Sequence, residues 1–251
     1  MLYYSERPLK KGKQILKYIP RWLLWHIRYP NHKKIYLLCA SAYTAGDFAK
    51  FGLFKNKTYK WGYFPETIHY DSMEELIDQK EKNHILWCGR FLDWKHPDDA
   101  LIVAKNLRDE GYSFRMSFIG GGEMDEQLRR MATEYQLEEY VQFLGTMPPE
   151  NVRKYMEKAG IFLFTSDRKE GWGAVLNEAM NSGCAVIGSD EIGAVPYLIQ
   201  DGNNGLVYES RNTDMLYEKT KYLLENPECQ KKIGIKAYKS METMWNSEVA
   251  S

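Results

Sequence analysis

Ile161-Phe162-Leu163-Phe164-Thr165 leads into Ser166-Asp167-Arg168-Lys169-Glu170-Gly171-Trp172-Gly173 and then into Ala174-Val175-Leu176-Asn177-Glu178-Ala179-Met180. A short apolar run bounded by polar residues reads as a strand covered on both faces. The stretch from Ala174 to Ser182 reads as a helix. Between them lies a loop crowded with charge and glycine. The same unit recurs from His84 onward: apolar runs at Ile85–Cys88, Phe114–Ile119, Tyr140–Leu144, Ala185–Ile187 and Leu206–Tyr208 alternate with helical stretches at Pro97–Asp109, Met124–Tyr135 and Pro149–Lys158, and from about Thr213. Strands alternating with helices define βαβ units, so the expected fold is α/β, a doubly wound parallel sheet of Rossmann-like form.

Upstream the pattern weakens. Residues 1–66 contain one strand-like run, Ile35 to Ala40, and a short helix from Ser41 to Lys50. Residues 67–83 are polar and read as a linker with one helix, Ser72 to Lys80, in which Ser72 and Glu75 form a capping box. Residues 84–251 form the regular domain. The 251 residues, 44 % hydrophobic and 27 % charged, exclude a disordered or collagen-like chain. Lys+Arg and Asp+Glu are equal at 34 each, so overall charge points to no nucleic-acid partner. The distribution is uneven, since Glu6 is the one acid among residues 1–40 and stands against nine basic residues.

No apolar run approaches the roughly 18 residues that span a bilayer. Met1 to Glu6 shows no charged stretch followed by an apolar one. Cys39, Cys88, Cys184 and Cys229 are dispersed without a CxxC pair, which fits reduced thiols and a cytoplasmic location.

An open α/β sheet binds ligands beyond the carboxyl ends of its strands. Gly89-Arg90-Phe91-Leu92-Asp93-Trp94-Lys95-His96-Pro97 leaves one such end. Its two cations, just ahead of a helix N-terminus, suit a pyrophosphate or are ordinary surface charges. Gly120-Gly121-Gly122 implies close approach of the backbone to a ligand or a tight turn; it is neither GxGxxG nor a P-loop. Gly171 and Gly173 leave the first-turn N–H groups of the next helix uncovered. Glu178, flanked by Leu176, Ala179 and Met180, is either drawn into a cleft, where paired ribose hydroxyls would offset its desolvation, or a solvated helix acid like Glu170. Asp201-Gly202-Asn203-Asn204-Gly205 reads as a tight turn. No Asp-x-Asp triplet is present to hold a metal beside a diphosphate.

Taken together, Gly89-Arg90 with Lys95, the Glu170–Glu178 pair, Ser189-Asp190 and Asp201-Gly202-Asn203-Asn204-Gly205 resemble the C-terminal half of a group 1 (family 4) retaining glycosyltransferase of the GT-B fold, over about Ile85 to Tyr208. Asp93-Trp94-Lys95-His96-Pro97 resembles members that build bacterial surface polysaccharides. His96 replaces the glycine that commonly follows the lysine, and Trp172 stands where phenylalanine is more usual.

The resemblance implies a nucleotide-diphosphate sugar of UDP or GDP type as substrate, with no cofactor and no metal, and a glycan or lipid-linked acceptor. It implies that Arg90 and Lys95 neutralise the diphosphate, Glu170 orients the transferred sugar and Glu178 binds the ribose. The N–H groups around Gly173, Ala174 and Val175 would meet the phosphates, and the loops at Gly120 and Gly145 would border the base. A non-catalytic nucleotide-binding or assembly module is the alternative. Residues 1–66 resemble a remnant of the N-terminal acceptor domain, and the last residues resemble a crossing helix cut short. The expectation is therefore a fragment, weak or inactive alone. The basic aromatic stretch Lys10 to Lys34 places Tyr18, Trp22 and Trp25 near one helical face. It suits either peripheral contact with the inner face of a membrane or packing on the first domain.

Overall fold

The computed structural model describes residues 2–10, 18–30 and 34–250, with the side chain of Tyr18 left out. Lys11, Lys13, Lys17 and Lys33 of the basic stretch lie outside the described residues. The chain begins with β1 (Leu2–Ser5), α1 (Tyr18–Arg28), β2 (Tyr36–Cys39), α2 (Thr44–Ala49) and β3 (Thr58–Lys60), and continues through α3 (Met73–Asp78). Strands β1, β2 and β3 form a parallel sheet in that order, Leu37 facing Tyr3 and Thr58.

One face of this sheet, through Leu37 and Cys39, is sealed by Leu9, Tyr29, Phe48, Phe51, Leu53 and Phe54. On the other, Leu2, Tyr4, Tyr36 and Tyr59 are exposed. The sequence pattern anticipates β2 and α2 but not β1 or β3. Both of these are outer strands of three or four residues, without the apolar run of a strand covered on both faces. The aromatic stripe of α1 is divided. Trp25 packs inward on Phe48 and Phe51, at ring-centre distances of 5.3 and 4.3 Å. Trp22, Ile19, Leu23, Leu24 and Ile27 are exposed.

The larger sheet follows with β4 (His84–Cys88), α4 (Pro97–Asp109), β5 (Arg115–Ile119), α5 (Asp125–Glu134), β6 (Val141–Phe143), α6 (Pro149–Lys158), β7 (Ile161–Phe164), α7 (Val175–Asn181), β8 (Ala185–Ser189), α8 (Val195–Leu198), β9 (Leu206–Tyr208), α9 (Thr213–Glu225), α10 (Pro227–Met244) and α11 (Ser247–Ala250). All six strands are parallel, in the order β6-β5-β4-β7-β8-β9. The expected doubly wound α/β sheet is present. Side chains alternate between two cores: Ile85, Trp87, Ile161, Leu163 and Ile187 point to one, and Leu86, Phe162, Phe164 and Val186 to the other. Burying each large apolar side chain contributes about 1.5–3 kcal/mol, which is why runs with apolar residues on both faces become central strands.

The polar segment before β4 is tied in at specific points. Ser72 Oγ caps α3 by accepting the Glu75 N–H at 3.1 Å. Lys80, just past α3, donates to the carbonyls of Met156, Glu157, Ala159 and Ser182 at 2.9 to 3.0 Å. One ammonium thus satisfies orphan carbonyls at the ends of both α6 and α7. Asn181 pairs its amide with both backbone groups of Ile68, at 2.9 and 3.0 Å.

Trp172 is buried, donates Nε1–H to Asn177 Oδ1 at 2.9 Å, and lies against Gly62, where any Cβ would overlap its ring. Trp172→Phe leaves the Asn177 oxygen unpaired over a void, an expected loss of about 1–3 kcal/mol. Gly62→Ala overpacks the site by about as much. The added methyl has room beside the smaller ring, so urea unfolding of the double variant should show less than the summed loss, with a coupling of at least about 0.5 kcal/mol.

Candidate functional site

The strand order reverses between β4 and β7, and the loops leaving their carboxyl ends face each other there, the place where open α/β sheets bind ligands. After β4 the chain makes one 3-10 turn, Asp93–Lys95, and ends it with His96 in the left-handed region at φ 48°. Lys95 is thereby aimed at the β7 loop, where its Nζ donates to Glu170 Oε2 at 2.6 Å. Both side chains are largely buried. Ser166 Oγ donates to the same Glu170 oxygen at 3.2 Å. The frame behind the pair is hydrogen-bonded throughout. Thr165 Oγ1 donates to the Lys95 carbonyl at 2.6 Å, Trp87 Nε1–H donates to Thr165 Oγ1 at 2.9 Å, and the Asp167 N–H donates to the Trp94 carbonyl at 2.9 Å.

Of the remaining residues anticipated from sequence, Gly89, Gly120, Gly145, Gly171, Gly173, Ala174 and Val175 all fall at this edge of the sheet. Gly120 and Gly122 have positive φ, and a Cβ on either would collide with the backbone of Gly89 or Phe91. Close packing of two loops, a tight turn, therefore accounts for them without a ligand. Gly145 has open space around it and accepts the Gly120 N–H at 2.8 Å. Gly173, at φ 89°, could not carry a Cβ without overlapping Phe164. α7 begins at Val175 with no side chain capping it.

Arg90 is exposed and makes no ion pair among the described residues. Glu178 is half-buried in a cavity of about 480 Å³ shared with Arg153, Glu150 and Glu66. Burial raises its carboxyl pKa, and the Arg153 charge acts in the opposite sense. Cys88, close enough to feel both Glu178 and Lys95, has its thiol pushed up to about 12, chiefly by burial.

Two groups at this edge carry no sequence signal. Glu6, just past β1, accepts from Lys10 Nζ at 2.6 Å and from the Tyr63 hydroxyl, and presses against Gly171. Gly193 donates to the Glu170 carbonyl at 3.3 Å and accepts the Ala42 N–H at 2.9 Å, joining the β7 loop to the small sheet. Glu6 and Gly171 are far apart in the chain, and only the tertiary fold brings them together. Among the described residues no cluster of His, Cys, Asp and Glu is arranged to hold a metal ion, and no helix is long and apolar enough to cross a membrane.

A six-stranded parallel sheet with a cation–carboxylate pair across its switch point defines a doubly wound α/β protein with a candidate ligand site at that edge. The family described as glycosyl transferases group 1 matches residues 71–240, and the chain belongs to it. It is 29 % identical to an uncharacterised glycosyltransferase of Methanocaldococcus jannaschii, over 64 % of this chain and 44 % of that protein. It is 27 % identical to the amylovoran biosynthesis glycosyltransferase AmsK of Erwinia amylovora, over 66 % and 42 %. A Campylobacter jejuni N-acetylgalactosaminyltransferase, whose name specifies a diphospho-undecaprenol acceptor, is 32 % identical over 68 % and 45 %. The chain thus spans less than half the length of these relatives.

Among solved structures, Anabaena HepE in complex with UDP superimposes with a TM-score of 0.79 at 16 % identity, covering 98 % of this chain and 68 % of that one. Staphylococcus aureus TarM with UDP gives 0.75 at 20 %, covering 87 % and 43 %. Both share the GT-B fold.

The left-handed His96 explains why glycine suits that position. His96 offsets the backbone cost in part through Nε2, 3.6 Å from Asp167 Oδ2. His96→Ala keeps the strain and loses the contact, whereas His96→Gly relieves the strain. The alanine variant should unfold at lower denaturant, by about 1 kcal/mol relative to the glycine variant.

Proposed function

We propose that the chain is the donor-binding part of a glycosyltransferase that moves a sugar from a nucleotide-diphosphate donor of UDP or GDP type to a glycan or lipid-linked acceptor. Transfer retains the anomeric configuration and needs no metal. The observation that carries this reading is the Lys95–Glu170 pair, 2.6 Å across the switch point. In the ligand-free chain each charge satisfies the other. A donor laid along this edge exchanges that contact for two better matched ones, diphosphate on Lys95 and sugar hydroxyls on Glu170. Arg90, exposed on the same loop, adds a second cation to the departing diphosphate. Preorganised cations stabilise the charge that develops as the glycosidic bond breaks.

Glu178 takes the ribose hydroxyls, the uncapped start of α7 around Gly173, Ala174 and Val175 faces the phosphates, and the loops at Gly120 and Gly145 border the base. Relatives named for amylovoran and colanic acid biosynthesis support a polysaccharide-building role, which this reading places at the cytoplasmic face of the membrane. Lys95→Ala and Arg90→Ala should each weaken UDP or GDP binding by about 1.5–3 kcal/mol in calorimetry. Unchanged affinity in both removes the diphosphate assignment. A transfer assay on a panel of sugar nucleotides separates an enzyme from a non-catalytic nucleotide-binding module.

The exposed face of α1 supports the lipid side of this reading. Ile19, Leu23, Leu24 and Ile27 stand out from a helix that also carries Arg21 and Arg28 and no acid. Such a face lies in the interface of an anionic bilayer, apolar side down. The chain should float with vesicles containing phosphatidylglycerol and not with phosphatidylcholine alone, and Leu23→Glu with Leu24→Glu should abolish flotation. Flotation indifferent to lipid charge and to these substitutions counts against membrane contact.

A further inference from the structure

α7 is short and uncapped at its start, so Glu178 depends on contacts from outside the helix to stay in place. α10 and the connecting segment pack against the helix, and side-chain hydrogen bonds to the Glu178 turn come from α6. Arg153 Nη1 donates to the Glu178 carbonyl at 3.2 Å, to Asn181 Oδ1 at 2.9 Å and to Ser182 Oγ at 3.0 Å. Asn181 is the residue whose amide pairs with Ile68, so a single guanidinium nitrogen joins α6, α7 and the segment connecting the two sheets. The Nε and Nη2 hydrogens of Arg153 have no partner among the described residues, and the side chain lines the same cavity of about 480 Å³ as Glu178. That volume falls in the range of small-ligand sites.

We propose that Arg153 is a positioning residue of the nucleotide site, holding the turn of α7 that carries Glu178 and keeping the Glu178 carboxylate charged for a ribose. The inference rests on the reading of Glu178 as the ribose ligand. The charges around that carboxylate come from several elements. Glu66 of the connecting segment and Glu150 and Glu157 of α6 line the cavity with the same sign, and Lys154 lines it with the opposite sign. Cys88 of β4 faces it as a neutral thiol, with Lys95 beyond. Arg153 is the charge that counters the effect of burial on Glu178. A protonated Glu178 loses acceptor capacity, so nucleotide affinity falls as pH drops through its pKa. Removing the guanidinium makes the carboxylate harder to ionise, and the fall then begins at higher pH.

The test is calorimetric titration with UDP and with GDP from about pH 5 to about pH 9, on wild type, Arg153→Met, Arg153→Gln, Arg153→Lys and Glu178→Gln, each checked for folding by circular dichroism. Arg153→Gln keeps hydrogen-bonding capacity without charge and serves if the methionine variant is too unstable. In the neutral variants the acid-side loss of affinity should move to higher pH, and Arg153→Lys should bring it back. Glu178→Gln should bind about tenfold or more weakly, with the acid-side loss gone. Neutral Arg153 variants that follow the wild-type profile overturn the inference while leaving Glu178 in place. A Glu178→Gln variant that binds and titrates like wild type overturns the ribose reading itself.

Discussion

The Lys95 ammonium and the Glu170 carboxylate, both largely withdrawn from water, are each other's main compensation, and much of the surrounding architecture exists to make that meeting possible. They leave strands that are neighbours in the sheet but distant in the chain, because β5 and β6 are laid down on one side of β4 before the chain returns to place β7 on the other. Burying either charge alone would cost several kcal/mol. The left-handed His96, the Thr165 bridge to the Lys95 carbonyl and the Asp167–Trp94 backbone bond keep the two loops in register, so the pair is a property of the framework and not of two flexible side chains.

A second set of polar contacts works at the opposite ends of the helices. Lys80 gathers carbonyls from the last turns of α6 and α7, while Arg153 reaches from the middle of α6 to the same end of α7. Each cation meets helix carboxyl ends, where the dipole is negative. The segment that composition describes as a polar linker thus acts as a brace: Lys80 is spent on carbonyls, the Ile68 backbone on the Asn181 amide and Asp78 on Lys231 of the large domain, a role invisible to hydropathy.

The strands and the longer helices from His84 onward are legible because each obeys a strong local rule: apolar runs in strands covered on both faces, and Pro97 and Pro149 at helix starts. The four residues of α8, Val195–Leu198, are too short to show a helical period. Lys95, Glu170 and Glu178 were legible as charges on loops or early helical turns beyond strand ends. The role of Gly120 was not, since contact with Gly89 is a property of two loops, and neither was the way Glu6 approaches Gly171 across the whole chain. The strands β1 and β3 are not legible because three or four residues at the margin of a sheet carry too little pattern. Trp25 shows the limit of helical periodicity. It shares a stripe with Trp22 in sequence, yet packing on Phe48 and Phe51 draws only one of them inward.

Among the described residues, β1 and β3 are the two margins of the three-stranded sheet. β3 ends in Lys60 and follows Lys57, and stacking a second chain against it would bring like charges together. β1, reading Leu-Tyr-Tyr-Ser, has no such guard. Strand addition along the β3 margin is therefore disfavoured by like charge, a guard that the composition of β1 does not repeat.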